Sequence, residues 1–316
     1  MNYPNGDRYL GEWQNGLFHG EGIFYFNNGH QNKGAFKEGK FITNKMKIWA
    51  VIVGISDYSD FQKLNYSTKD AKSVYDFMRS IEGGAVPEDQ IELLTDEMAS
   101  GYNILNTTAN LFEKADSNDL IIFYFAGHGK NGAFLPYDYN SQKGNLLYHG
   151  LINAVLKDSE AKYKLCVVDA CHSGSFDLDT ELSYKDYLEA YNNNPDEHLT
   201  GIYRSSKNIR DRIEDFYTSF EGIKGGMALL LSSASEEISL EANKLEQGVF
   251  SYYFIEALRG KANQKNSDGN YDQIINISEL FNYIEQQVRK FTYGFQHPKI
   301  YGTFDKKMPI CTIKEP

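Results

Sequence analysis

The sequence contains few cysteines, few prolines and no long apolar run. Its 316 residues include 3 Cys and 7 Pro, and so small and odd a number of cysteines argues against a disulfide framework. Apolar runs fall far short of the roughly 18 residues that a membrane-spanning helix needs. The opening MNYPNGDRYL has neither the basic nor the apolar stretch of a secretory signal. We therefore expect a cytoplasmic, soluble protein with no integral membrane association.

Positive charge is also scarce. The chain has 32 Lys and Arg against 43 Asp and Glu, a net charge of −11, and an acidic chain is poorly suited to nucleic acid. We expect no nucleic-acid partner and, where acids meet a cleft, a cationic substrate. Hydrophobic residues make up 41% and aromatic residues 14%, which is ample for one sizeable core.

A repeat opens the chain. Glycines recur after 23 residues, and a fixed period of this size indicates a repeat array. The pairs are Gly6 and Gly29, Gly11 and Gly34, and Gly16 and Gly39, with Trp13 and Phe36 at the same offset. Aromatic residues that alternate with glycines suit short hairpin strands joined by tight turns.

The stretch YLGEWQNGLFHGEGIFYFNNG resembles a MORN repeat, with a second, truncated repeat at NKGAFKEGKF. We assign residues 1–45 to about two MORN repeats and give His19 a structural role. Because so few repeats cannot bury a face alone, we expect this segment to dock on the following domain or on another copy. A structural cap or self-association ribbon is the favoured interpretation, and a lipid- or partner-binding surface is the alternative.

The rest of the chain alternates apolar runs with helical patterns. Such alternation predicts a mostly parallel sheet with helices on both faces. The predicted strands are 48–55, 90–95, 120–126, 164–170 and 227–234, with 308–313 closing the sheet at one edge. The predicted helices are 67–81, capped by Ser67 or Thr68, then 248–258, and 278–291, capped by Ser278.

Two reactive side chains follow buried strands. His128 stands in YFAGHG and Cys171 in VVDACHSG, and ligands of such sheets bind beyond the carboxyl ends of the strands. A neighbouring imidazole can take the proton of a thiol and leave the nucleophilic thiolate. The N–H groups of Gly129 and Cys171 would form an oxyanion hole. An inert buried cysteine remains an alternative, whereas a metal site with His172 lacks the usual ligand spacing.

These two motifs resemble those of the caspase-like cysteine peptidases, most closely the metacaspases and their bacterial relatives. AVIVGISDY, LNYSTKDAKSV and GVFSYYFIEAL resemble further family motifs, with Lys69 in place of an asparagine. The resemblance covers residues 46–313. It implies a caspase–hemoglobinase fold with a six-stranded sheet over 46–316, preceded by the all-β MORN segment, and a catalytic Cys171–His128 dyad.

The resemblance also implies an acidic S1 pocket formed by Asp70 and Asp169, with Ser233 as a further substrate contact. Two carboxylates favour a guanidinium or ammonium group, so we expect cleavage after Arg or Lys and not after Asp. Ala126 replaces a family serine, which leaves the choice between Arg and Lys open. The alternative role of Asp70 is to stabilise the helix dipole as an acid near a helix N-terminus. The alternative for Asp169 is a buried, hydrogen-bonded acid.

A long polar insert at about 177–226 follows the cysteine. Such a length indicates a functional or disordered loop, and we expect it to cover the site or to be cut by the enzyme itself. A plain surface insertion with its own helix is the alternative. The candidate cleavage points are Arg204, Lys207, Arg210, Arg212 and Lys224.

No cofactor and no metal are expected. Calcium dependence is not favoured, because the region of Asp138 lacks the paired acids that some metacaspases use. By family analogy, the chain would act as a regulated protease in a bacterial stress or defence pathway, with a gasdermin-like protein as a candidate target. The alternative is a catalytically silent scaffold or a MORN-mediated adaptor.

Overall fold

The computed structural model describes residues 2–29, 31–41, 47–80, 83, 86–117, 119–130, 132–170, 226–234, 237–263 and 274–312. The chain divides into two compact units, residues 1–46 and 47–316. Cys171, His172, the five candidate cleavage points and all of the predicted insert except its last residue lie outside the described residues.

The first unit is an antiparallel meander of four strands in the order β1-β2-β3-β4, as the glycine period predicts. The strands are β1 (Arg8–Gln14), β2 (Leu17–Tyr25), β3 (Gln31–Lys37) and β4 (Lys40–Phe41). Tyr9 is fully buried and stacks on Phe18 at 4.1 Å. Gly11 and Gly22 pair across the first two strands, and a β-carbon on either would collide with the Tyr9 phenol. Glycine is required there because an aromatic ring lies directly on the backbone.

The second unit is built on a six-stranded sheet in the order β16-β12-β11-β7-β5-β6. Five strands are parallel and the edge strand β16 is antiparallel, so the predicted mostly parallel sheet is confirmed. Its strands are β5 (Ile48–Gly54), β6 (Ile91–Thr95), β7 (Leu120–Ala126), β11 (Tyr163–Asp169), β12 (Met227–Leu231) and β16 (Lys299–Tyr301).

Short strands complete the unit in pairs and in one set of three. They are β8 (Gly129–Lys130), β9 (Ala133–Phe134), β10 (Leu147–Tyr148), β13 (Glu241–Ala242), β14 (Gln247–Gly248), β15 (Ile274–Asn276) and β17 (Pro309–Thr312). The prediction that 308–313 closes the main sheet is wrong, because β17 pairs with β15 and the edge position belongs to β16.

Helices cover both faces of the sheet, as predicted. They are α1 (Ser67–Arg79), α2 (Gly101–Phe112), α3 (His149–Asp158), α4 (Val249–Leu258) and α5 (Ile277–Phe291). The first, fourth and fifth pack on one face, and α2 and α3 pack on the other. Within the described part of the chain, no helix has the length and apolar character to cross a membrane.

Two predicted caps are wrong. The N-cap of α1 is Tyr66, which makes no side-chain capping bond, so Ser67 and Thr68 are already helical. The N-cap of α5 is Asn276, not Ser278, and it forms a reciprocal capping box with Glu279. An asparagine two residues earlier accepts the free N–H groups of the first turn.

Candidate active site

The carboxyl ends of three neighbouring strands meet at the site. Gly54, Ala126 and Asp169 are in register across β5, β7 and β11. His128 follows Ala126 by two residues, and Cys171 follows Asp169 by the same number. The parallel register therefore brings the carboxyl ends of β7 and β11 to one edge of the sheet, where ligands of such sheets bind.

The His128 ring is held by the loop that follows β5. Its Nε2 lies 2.7 Å from the Gln62 carbonyl oxygen. Because a carbonyl only accepts, Nε2 carries the proton and Nδ1 is left as the basic nitrogen of the neutral ring. Phe61 meets the ring edge-on at 4.7 Å. Burial lowers the pKa of His128 below its usual value, which favours the neutral, proton-accepting form.

Tyr58 fixes the backbone beneath this ring. Its hydroxyl accepts the His128 N–H at 2.9 Å and donates to the Leu135 carbonyl at 3.1 Å. The ring is 2% exposed, so both bonds are shielded from water. Gly129 begins β8 directly after the histidine.

One open pocket brings three of the predicted site residues together: His128, Asp70 and Asp169. It has about 320 Å³ of empty space, including its mouth. His128 lines it together with Asp70, Asp169 and Ala170, the residue to which Cys171 is bonded. The rest of the lining is Leu64, Ser67, Gly127, Ser239, Leu240, Glu241 and Gly248. Ser233 is not part of it: its side chain is fully buried and donates to the Glu237 carbonyl at 3.3 Å.

The two acids of the pocket converge on Gly248. Asp70 accepts from the Gly248 N–H at 2.9 Å and from Gln247 Nε2 at 3.1 Å. A β-carbon on Gly248 would lie 2.8 Å from Asp169 Oδ2 and 2.9 Å from Asp70 Oδ2. Both carboxyls are buried, with 2% of Asp70 and 8% of Asp169 exposed. A glycine at this position leaves the space between them open.

Burial raises the pKa of both acids, and the Asp169 charge adds to the shift of Asp70. Burial, and then the Asp169 charge, raise the pKa of Asp70 to about 8. Burial also raises the pKa of Asp169, although hydrogen bonds from Ser239 and Ser251 oppose the shift. Two like charges in a dry pocket disfavour ionisation, and an entering cation would relieve both effects.

Sequence reasoning missed several groups of the site. Tyr58 and Gln62 hold the histidine, and Glu241 joins the β13–β14 hairpin to the loop before α1. Glu241 accepts from the Tyr66 N–H at 2.8 Å and from the Asn65 N–H at 3.1 Å. Tyr58 and Ser251 carried a signal, since they lie inside the motif stretches AVIVGISDY and GVFSYYFIEAL.

Among the described residues, no group of three or more His, Cys, Asp or Glu side chains is arranged to hold a metal ion. Asp138 instead accepts the Gly101 N–H at the start of α2, at 2.9 Å. The two described thiols, Cys166 and Cys311, are both free.

Comparisons with known proteins show the family of the chain. Residues 47–309 match the caspase domain of peptidase family C14, and residues 9–31 match the MORN repeat. The chain belongs to the caspase-domain family of cysteine peptidases, and it carries a MORN repeat ahead of that domain.

Relatives of the chain include proteases and metacaspases at low identity. A Desulfuromonadales protein named "Probable protease" is 23% identical over 77% of this chain and 30% of its own length. Metacaspase-1 of Eremothecium gossypii is 22% identical over 69% of this chain and 52% of its own. Metacaspase-3 of Trypanosoma cruzi is 27% identical over 40% of each. The chain thus spans about half or less of the length of these relatives.

The fold is also found in a solved structure. The crystal structure of protein GSU0716 from Geobacter sulfurreducens matches 85% of this chain and all of its own chain, with a TM-score of 0.51 and 14% identity. At that identity the likeness concerns the fold alone.

Proposed function

We propose that the chain is a cysteine endopeptidase with a Cys171–His128 dyad. The observation that carries this proposal is that His128 and Ala170, which is bonded to Cys171, line one pocket. The Nε2 contact with the Gln62 carbonyl also leaves Nδ1 of the imidazole free to act as a base.

The chemistry follows from these groups. His128 Nδ1 takes the thiol proton of Cys171, and the sulfur attacks the carbonyl carbon of the scissile bond. The carbon–nitrogen bond breaks as the imidazolium returns its proton to the leaving amine. Water then hydrolyses the thioester and regenerates the thiol. The N–H groups of Gly129 and Cys171 are the proposed donors to the oxyanion.

We further propose that the residue before the cleaved bond is basic. The support is the pair Asp70 and Asp169, two buried carboxyls beside Gly248. A guanidinium group can donate to both acids at once, whereas an acidic side chain would be repelled. Ser233, proposed from the resemblance as a substrate contact, would act through the segment that it anchors at Glu237.

The test is hydrolysis of fluorogenic peptides that end in Arg, Lys, Asp or norleucine, with calcium and with a chelator. We expect turnover of the Arg and Lys peptides, with no calcium requirement. Cys171→Ala and His128→Ala should abolish turnover, while Cys311→Ala is the matched thiol control and should retain it. A protein without turnover on any peptide would instead favour the scaffold function.

Self-processing is a separate proposal. The basic residues at 204, 207, 210, 212 and 224 suit the same acidic pocket. Purified wild-type protein should fragment within 177–226, and the Cys171→Ala protein should stay intact. Identical fragments from both proteins would show that another protease makes the cut.

The natural target rests on family resemblance alone. We keep a gasdermin-like protein in a bacterial stress or defence pathway as the candidate, and the MORN segment as the candidate for partner binding or self-association. Proteome-wide cleavage profiling of the wild type against Cys171→Ala tests the target directly.

A further inference from the structure

Each oxygen of Asp169 faces a serine hydroxyl. Ser239 Oγ lies 2.5 Å from Oδ1, and Ser251 Oγ lies 2.5 Å from Oδ2, which also accepts the Ser251 N–H at 3.2 Å. A hydroxyl has one proton, so it donates one hydrogen bond while its oxygen can accept others. Whether the serines present protons to the carboxyl therefore depends on the groups behind them.

Gln296 determines which way the Ser239 hydroxyl donates its hydrogen bond. Its fully buried amide accepts the Leu240 N–H at 3.1 Å and donates to the Ser232 carbonyl at 2.9 Å. A backbone N–H only donates and a carbonyl only accepts, so this amide cannot be turned over. Its Nε2 therefore donates to Ser239 Oγ, at 3.2 Å. The proton of Ser239 is left to point at Asp169.

Tyr124 orients the Ser251 hydroxyl in the same way. Its hydroxyl lies 2.5 Å from Ser251 Oγ in the buried core between β7 and α4. Burial raises the pKa of Tyr124 well above its usual value, so the phenol keeps its proton. Since Asp169 Oδ2 already accepts the Ser251 N–H, the arrangement that satisfies every group runs from Tyr124 to Ser251 to the carboxyl.

Asp70, the other acid, has weaker support. Its donors are one side-chain amide and one backbone N–H, at 3.1 and 2.9 Å. No hydroxyl donates to it among the described residues. The two carboxyls of the pocket are therefore not equivalent, although the sequence gives both the same residue type.

We propose that Ser239 and Ser251, oriented by Gln296 and Tyr124, favour the ionised form of Asp169 against the effect of its burial, so that this carboxylate selects a basic side chain. The four are specificity-determining positioning residues, and this inference rests on the proposed function. An ionised carboxylate only accepts hydrogen bonds and attracts a guanidinium group. A protonated acid carries no charge, so it would bind neutral polar side chains as well as it binds a guanidinium group. Removing the hydroxyls of Ser239, Ser251 or Tyr124 should therefore weaken the binding of an Arg side chain without changing the Cys171–His128 dyad.

The experiment measures KM and kcat for the Arg and norleucine peptides. In Ser239→Ala and in Ser251→Ala, the KM of the Arg peptide should rise about tenfold, because each variant deletes a hydrogen bond to a charged group. In Tyr124→Phe it should rise about threefold, since the hydroxyl acts through Ser251. The kcat of the Arg peptide should change less than its KM, and the constants for norleucine should change less than those for Arg.

Two variants serve as controls. Ser251→Thr keeps the hydroxyl and should restore the wild-type KM, while Tyr283→Phe removes the hydroxyl of a buried tyrosine in α5 and should change nothing. If Ser251→Ala does not fold, the partly exposed Ser239 still provides the test. An unchanged KM of the Arg peptide in both alanine variants, or a fall in kcat alone, would contradict the proposed role of the two serines. Equal cleavage of Arg and norleucine by the wild type would instead overturn the basic specificity of the proposed function.

Discussion

The Gly127 N–H donates a hydrogen bond to the Asp169 carbonyl, at 3.2 Å. This bond lies one residue past the end of β7 and extends the parallel pairing of β7 with β11 beyond the strand. It ties Gly127, the residue before His128, to Asp169, the last residue of β11. The relative position of these two strand ends is thereby set by backbone pairing, which does not depend on the identity of the side chains.

Gly248→Ala should block the acidic pocket. The new β-carbon would lie less than 3 Å from an oxygen of each acid, which is closer than non-bonded atoms approach. The residue has an ordinary φ of −59°, so the effect is steric and not conformational. We expect kcat/KM for the Arg peptide to fall at least about a hundredfold, since proper placement of the substrate is lost.

The norleucine peptide is the internal control for this variant. A smaller side chain that does not reach the acids should lose much less activity than Arg. Equal losses on both peptides, with an unchanged melting temperature, would show that Gly248 serves the dyad and not the pocket.

The sheet could be predicted because its strands are continuous apolar runs, but pairing at its edge could not. The segment 308–313 has the apolar character of an edge strand, whereas Lys299–Tyr301 is only three residues long and half-buried. Which of the two segments pairs with the sheet depends on where α5 ends. That is decided by tertiary packing and not by the local sequence. Helix α2 also escaped prediction, since Gly, Asn and Thr residues have weak helix propensity.

The site could be predicted only where a motif lies next to a strand. His128, Asp70 and Asp169 carry local signals and do line one pocket. Gln296 and Tyr124 act through serines that are distant in sequence, Ser251 being 82 residues from Asp169. Such partners are brought together by the packing of α4 and of the segment after α5, and no local pattern marks them.

The KM of the Arg peptide should depend on pH through Asp70. Burial and the Asp169 charge raise the pKa of this carboxyl to about 8, with a smaller contribution from Glu241. Below that pH a guanidinium ligand must displace a proton, so KM should fall as pH rises towards 8 and then level off. Asp70→Asn should raise KM and remove this dependence. A flat KM profile for the wild type would contradict the assignment.

The raised pKa of Asp70 also predicts how the stability of the protein depends on pH. Because the folded pKa of Asp70 lies above its ordinary value of 3.8, the unfolded chain releases this proton first. The carboxyl therefore reduces the free energy of unfolding as pH rises from about 4 to 8. Measured by thermal unfolding, the melting temperature of Asp70→Asn relative to wild type should increase across this window and stay constant above it.

Glu241→Gln should move the KM profile to lower pH. The Glu241 charge contributes to the raised pKa of Asp70, so its removal should lower the pH at which KM levels off. The variant also leaves one acceptor oxygen for the N–H groups of Asn65 and Tyr66. Glu246→Gln is the matched control, since this exposed residue pairs with Lys69 and does not line the pocket. An unmoved profile in Glu241→Gln would exclude its charge as a cause.

Asp96→Ala should lower kcat through the loop that holds His128. Asp96 has a positive φ of 43°, and one of its oxygens accepts the N–H groups of Ser56 and Asp57 at 2.8 and 2.9 Å. The other oxygen accepts from Thr68 Oγ1 at 3.1 Å. A strained aspartate with three donors holds the start of the loop that carries the Gln62 carbonyl. Loss of these bonds should cost about 2 kcal/mol of stability.

Asparagine separates the role of the loop from that of the fold. Asp96→Asn tolerates the positive φ and keeps an oxygen for both N–H groups, so kcat should stay within about threefold of wild type. Asp96→Ala should lower kcat by about tenfold or more, with little change in the KM of the Arg peptide, because the acidic pocket lies on other elements. The kcat–pH profile should also broaden or shift, since His128 loses its fixed partner. An alanine variant that is less stable but keeps wild-type kcat and pH profile would limit Asp96 to a structural role.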